Sequence, residues 1–147
     1  MSLQVKIKKL HEKAVIPKYM TDGAVGMDLV AISENPVFEN GIAYIEYGTG
    51  LAIEIPKDHV CILAPRSSIT SQTSLVMPGS IGIIDRDYRG ELKFRFKSIL
   101  MAGGKKYKVG DRIGQLLIVP APKLELVEVQ ELSSTDRGSG GFGSTNK

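Results

Sequence analysis

Glycine and proline cut this chain into pieces suited to strands and turns rather than helices. Sixteen glycines and seven prolines are spread over 147 residues. Between them lie short apolar runs with a period of two, not 3.6. The clearest is Glu91-Leu92-Lys93-Phe94-Arg95-Phe96-Lys97. Successive side chains of a strand point to opposite faces, so Leu92, Phe94 and Phe96 share one face and the charged residues the other. The segment reads as a half-buried strand. Val5 and Ile7, Ala43 to Tyr47, Leu51 to Ile55, Val60 to Ala64, Arg112 to Val119 and Leu124 to Val129 are further strand candidates, the last two parted by Pro120 and Pro122. Thr70 to Leu75 has room for one short helix. No internal repeat and no dividing linker is present. Many short strands separated by turn signals predict an all-β fold: a sandwich, jelly roll or barrel.

The length fits one domain with a core of its own. Hydrophobic residues make up 42% of the chain and charged residues 24%, an ordinary soluble balance. No apolar run approaches the ~18 residues of a membrane helix, so no membrane partner is expected. The start, MSLQVKIKKLHEK, lacks an apolar h-region, and no secretory signal is expected. One cysteine excludes an internal disulfide framework and a multi-cysteine zinc site. Cys61, within VCILA, reads as a small core hydrophobe. These features point to a reducing, cytoplasmic setting, the host cytoplasm for a viral gene. The net charge of +3 is mild and the basic residues form no long block, so no nucleic-acid arm is indicated. The excess could serve a small polyanion.

The body extends over residues 1–132, and the last stretch, Ser133 to Lys147, differs in kind. SSTDRGSGGFGSTNK has no aliphatic residue beyond threonine methyls and cannot build a core, so it predicts a flexible C-terminal arm. It reads as a loose terminus or as a cover for a phosphorylated base, with Arg137 pairing phosphate and Phe142 stacking on the base.

Four further clusters carry polar chemistry. Pro65-Arg66-Ser67-Ser68 ends an apolar strand with a guanidinium, two hydroxyls and free N–H groups, which is either an oxyanion site or a polar turn. Gly82-Ile83-Ile84-Asp85-Arg86-Asp87-Tyr88-Arg89-Gly90 reads as a β-hairpin with a polar bend. Asp85, directly after two branched apolar residues, is a candidate base or metal partner; Asp85 and Asp87 are alternatively turn residues, and Tyr88 a strand-edge aromatic. Gly23-Ala24-Val25-Gly26-Met27-Asp28-Leu29 sets a carboxylate in a glycine-rich bend, where Asp28 either meets Mg²⁺ or its waters or caps a turn. Asp111-Arg112-Ile113-Gly114-Gln115-Leu116 opens an apolar strand, and Gln115 either completes a buried network or donates to a ligand. His11 and His59 have no partners at metal spacing. No Walker loop is present, and the tail glycines do not open a helix after a strand, as a dinucleotide fingerprint requires.

In order, GAVGMDLVA, PRSS, GIIDRDYRGELK, RIGQL and RGSGGFGST resemble the five motifs of the trimeric dUTPase family, the deoxyuridine triphosphate nucleotidohydrolases. The resemblance runs from about Gly23 to Thr145. It implies a jelly-roll-like β-barrel and a homotrimer with active sites at the subunit interfaces. It also implies Mg²⁺-assisted hydrolysis of dUTP to dUMP and pyrophosphate, which limits uracil in DNA and supplies dUMP for thymidylate synthesis. By the same resemblance, Asp85 activates the water that attacks the α-phosphorus, and Tyr88 packs on the deoxyribose. The hairpin from Gly79 to Lys93 holds uracil through backbone groups at Gly82, Ile83, Ile84 and Lys93. Arg66, Ser67, Ser68 and Gln115 hold phosphates, and Asp28 meets Mg²⁺ through water. Arg137, Ser144 and Thr145 reach the γ-phosphate end, Phe142 covers the base, and Gly143 is a further substrate-binding residue of the tail.

Val25, Ser68, Gly79, Gly114 and Asn146 depart from the residues usual in the family; Gly114 stands for an alanine. Two other readings compete: the related deoxycytidine triphosphate deaminase, against which the phenylalanine-bearing tail speaks, and a binding or regulatory module that keeps the fold and nucleotide pocket but acts on a protein partner, against which intact Asp85 and Tyr88 speak.

Overall fold

The computed structural model describes residues 3–100 and 102–141. Within them the chain runs β1 (Lys6–Lys9), β2 (Met27–Val30), β3 (Ser33–Glu39), β4 (Ile42–Gly48), β5 (Leu51–Glu54), β6 (His59–Pro65), α1 (Ile69–Gln72), β7 (Leu75–Val76), β8 (Gly82–Ile84), β9 (Lys93–Ser98) and β10 (Arg112–Pro120). Two four-stranded antiparallel sheets, ordered β2-β10-β6-β8 and β3-β4-β9-β7, contribute to one core, and β1 pairs with β5. Eight strands in two sheets match the jelly-roll-like expectation. No helix among the described residues is long and apolar enough to cross a membrane.

The period-two reading of β9 holds: Phe94 and Phe96 are buried while Lys93, Arg95 and Lys97 are exposed. The ladder begins two residues later than the pattern suggests. Leu92 is buried, but it is tied to the β4–β5 connection: its N–H donates to the Leu51 carbonyl at 2.8 Å, and its own carbonyl accepts the Thr49 hydroxyl at 2.7 Å. Phe94 and Phe96 stack at 5.8 Å between centroids, and Tyr47 meets Tyr107 edge-on at 6.2 Å. Such aromatic pairs add about 0.5–1.5 kcal/mol beyond the area they bury. The Tyr47 hydroxyl donates to the Tyr107 carbonyl at 2.9 Å, and burial pushes its pKa well above the usual phenol range. Cys61 is fully buried and its thiol pKa is raised to about 12 by desolvation, so it is the inert core hydrophobe expected.

Gly114 has a packing reason to lack a side chain. A Cβ there would stand 2.2 and 2.3 Å from two ring carbons of buried Phe94 and 3.0 Å from the Ala64 carbonyl oxygen. Neither neighbour can yield cheaply. Gly114→Ala is expected to destabilise the fold by about 2–3 kcal/mol, a fall of roughly 5–10 °C in melting temperature. Trimming the ring with Phe94→Leu in the Gly114→Ala background should restore part of that loss; no recovery would place the strain elsewhere.

Two expectations are corrected. Leu124 to Val129 forms no strand. Its edge finds no partner among the described residues, and Leu124, Leu126 and Val127 are 80%, 91% and 74% exposed. The stretch from Gly82 to Lys93 is not a paired hairpin either. β8 pairs with β6 in one sheet, whereas β9 pairs with β4 and β7 in the other. Residues 85–92 therefore cross between sheets.

Candidate active site

Asp28 lies within β2, not in the glycine bend before it, and is only 9% exposed. A buried carboxylate needs charge partners, and it has them. Arg112 Nη1 donates to Oδ2 at 2.9 Å, Gln115 Nε2 donates to Oδ1 at 3.3 Å, and Arg66 Nε stands 3.6 Å from Oδ1. Residues three apart on a strand ordinarily face opposite ways. Here the β2–β10 register slips between Arg112 and Gly114, and that irregularity lets both Arg112 and Gln115 reach Asp28. Arg112 was not among the residues singled out in the sequence. Its position three residues before Gln115 hid it, because the bulge has no clear sequence signature.

Arg66 also donates to the Arg112 carbonyl at 3.4 Å, which draws the β6 end against β10. Beyond it Ser67 is exposed and Ser68 precedes α1. Among the described residues, the N–H groups of Ser67 and Ser68 find no backbone acceptor. The Ser68 Oγ and the Tyr107 hydroxyl are buried without a partner. A cavity of about 370 Å³ opens here, lined by Arg66, Thr73, Lys106, Tyr107 and Arg112 among others. Two guanidiniums, Lys106 and the Thr73 hydroxyl at one opening, with Asp111 as the one acid, suit a phosphate chain.

The described residues contain no group of three or more His, Cys, Asp or Glu able to hold a metal. Asp28 is a single carboxylate already engaged by cations. That set does not make a protein cage, but it fits Mg²⁺, which keeps waters and takes most of its ligands from substrate phosphates.

Asp85 follows β8 and is exposed; its carbonyl accepts the Tyr88 N–H at 3.1 Å in a tight turn. Tyr88 is half exposed. β8 is an edge strand, so the backbone groups of Gly82, Ile83 and Ile84 that face away from β6 are open to a ligand with an amide-like edge. Gly79 sits in the preceding turn at φ +85°. The Lys93 side chain is taken: its Nζ donates to Glu46 at 2.8 Å, a bond that holds the Glu46 carboxyl below its usual range. The Lys93 backbone opens β9 level with Gly48 of β4.

The structure does not bring these clusters together within one chain. Ile84 is level with Cys61 on β6, so Asp85 follows at the level of Val60. Arg66 lies at the opposite end, six positions on. At ~3.3 Å per residue that is about 20 Å, beyond the joint reach of the two side chains. Arg137 is exposed and its Nε donates to the Gly140 carbonyl at 3.0 Å, within its own turn. Every residue from Pro122 to Ser139 is exposed, so the chain leaves the body ahead of the composition change at Ser133. Phe142, Gly143, Ser144 and Thr145 lie outside the described residues.

Comparison with known proteins bears on the family of the chain. The dUTPase family profile matches residues 12–146. The chain is 40% identical over 146 residues to the deoxyuridine 5'-triphosphate nucleotidohydrolase of Hydrogenobaculum sp., covering 97% of this chain and 98% of that one. A mutant dUTPase of Staphylococcus bacteriophage 80alpha, solved with dUpNHpp, superposes with a TM-score of 0.76 at 27% identity, over 98% of this chain and 99% of that one. A mutant dUTPase from phage phi11 of S. aureus, whose structure describes a structural Mg(II) ion, superposes with a TM-score of 0.71 at 25% identity, over 88% of this chain and 98% of that one. On the match across nearly its whole length, the chain belongs to the dUTPase family, the deoxyuridine 5'-triphosphate nucleotidohydrolases.

Proposed function

We propose that this chain hydrolyses dUTP to dUMP and pyrophosphate by water attack on the α-phosphorus, at sites shared between copies in a homotrimer. The observation that carries the reading is the arrangement along β6. An anion-binding cluster of Arg66, Arg112 and Gln115 around Asp28 stands at one end, and Asp85 stands at the other. One nucleotide can meet both only if a second copy supplies one of them. Exposed Leu124, Leu126 and Leu132, on a stretch without a strand partner, give the assembly apolar surface to cover.

Within that frame Arg66, Ser67, Ser68 and Gln115 hold the phosphates. Asp85 orients the water and takes its proton. The open edge of β8 at Gly82, Ile83 and Ile84, with the Gly79 turn and the Lys93 backbone, reads the uracil edge. Backbone donors and acceptors matched to uracil are left unpaired by cytosine, a mismatch that discriminates strongly. Tyr88 lies against the deoxyribose. Arg137 and residues 142–145 close over the base and the γ-phosphate. Asp28 meets the water shell of Mg²⁺, which when bound neutralises phosphate charge and aligns the chain for in-line attack. The product supplies dUMP for thymidylate synthesis, and the reaction limits uracil in DNA.

A pyrophosphate-release panel over dUTP, dCTP, dTTP and UTP, with and without Mg²⁺, tests this. Release is expected from dUTP with Mg²⁺ and far more slowly from the others. No release from dUTP overturns the reading, and ammonia from dCTP would replace it with deamination.

A further inference from the structure

We propose that Gly90 is a positioning residue for Tyr88: the missing side chain at position 90 holds the Tyr88 ring where it excludes a ribose 2′-hydroxyl. The inference rests on the dUTP reading and assigns the sugar selectivity of that site to a second residue.

The Tyr88 ring folds back along its own chain. Its hydroxyl donates to the Glu91 carbonyl at 3.0 Å. That carbonyl is itself on a fixed segment. The Glu91 carboxylate accepts the Gly50 N–H at 2.7 Å and faces Lys93 Nζ at 3.8 Å, and the next residue, Leu92, is buried in the core. Between ring and carbonyl lies Gly90. A Cβ built there would stand 2.3 Å from the Tyr88 hydroxyl oxygen, 2.5 Å from Cζ and 2.9 Å from Cε2. Heavy atoms do not approach so closely, so the ring can occupy this place only over a glycine.

An alanine at position 90 would act on the ring rather than on the fold. Gly90 is not among the glycines with positive φ, so the backbone admits a side chain. The three nearest atoms all belong to the far end of the Tyr88 side chain, and Tyr88 is 45% exposed, with room to swing. To reach ordinary contact at 3.4 Å the hydroxyl must retreat by about 1 Å. Misplacement on that scale is costly where a site works by close fit. A ring moved off its seat opens the space that a 2′-hydroxyl would fill.

The test is kcat/KM for dUTP and UTP, with melting temperature as control, on the full chain. Wild type, Gly90→Ala, Tyr88→Ala and the double variant form a cycle. Gly90→Ala is expected to keep its melting temperature and to lose about tenfold in the dUTP-to-UTP ratio. In the Tyr88→Ala background, Gly90→Ala should change that ratio no further. An unchanged ratio in the single variant, or an equal loss with and without Tyr88, overturns the proposal. Tyr88→Phe keeps the ring and removes only its bond to Glu91, so it provides the reading if Gly90→Ala does not fold. A loss of about threefold is then expected, and none overturns the proposal. A wild-type chain that releases no pyrophosphate from dUTP removes the dUTP reading itself, and this inference with it.

Discussion

Asp85→Asn is expected to lower kcat for dUTP by about 10²–10⁴ while KM stays within about threefold. Asparagine keeps the size and the hydrogen-bonding reach of the side chain but cannot take a proton from water. On the proposed reading the phosphates are held by Arg66, Ser67, Ser68 and Gln115 and the uracil by the β8 edge, not by Asp85, so nucleotide affinity has little to lose. The turn that displays residue 85 is closed by backbone atoms, Tyr88 N–H to the Asp85 carbonyl, and survives the change. Single-turnover pyrophosphate release, with equilibrium binding of a non-cleavable dUTP analogue, separates the two effects. Near-normal turnover would remove Asp85 from the chemistry, and a matching loss of affinity would make it a binding group instead.

Ending the chain after Asp136 is expected to reduce turnover by about 10² or more, with the folded body unchanged. Every buried core residue lies before position 117, and the chain from Pro122 to Ser139 is exposed, so the body loses no packing. The site would lose Arg137 and the segment through Thr145, and with them a cation for the γ-phosphate end and the cover over the base. Steady-state rates beside a melting curve decide it. Full activity in the shortened chain would dismiss the closing arm, and a collapsed melting curve would make the tail structural.

What could be read in the sequence follows the physics of local pattern. The alternation through Phe94 and Phe96, the apolar setting of Cys61 and the strand ending at Pro65 each depend on neighbours in sequence, and each is where the pattern put it. Partner choice is not local. Nothing in Gly82–Ile84 says that it pairs with β6 rather than with the strand that follows it. Leu124 to Val129 has strand composition but joins no edge among the described residues. The company of Asp28 was hidden for a third reason: it depends on a slipped register, and an alternation rule sends Arg112 and Gln115 to opposite faces. Of the candidate site, the residue types were visible in the motifs. Their grouping was not, because it is set by strand order and, on the proposed reading, by how copies of the chain meet.

The length of β6 has a consequence for inheritance as well as for chemistry. If the proposed roles hold, with Arg66 and Asp85 at opposite tips of one rod, damage at either spoils a different contribution to a pocket drawn from several chains. On that reading, two lesions that each silence a pure assembly are expected to complement one another when the damaged chains are mixed, because some pockets in the mixture would draw an intact half from each.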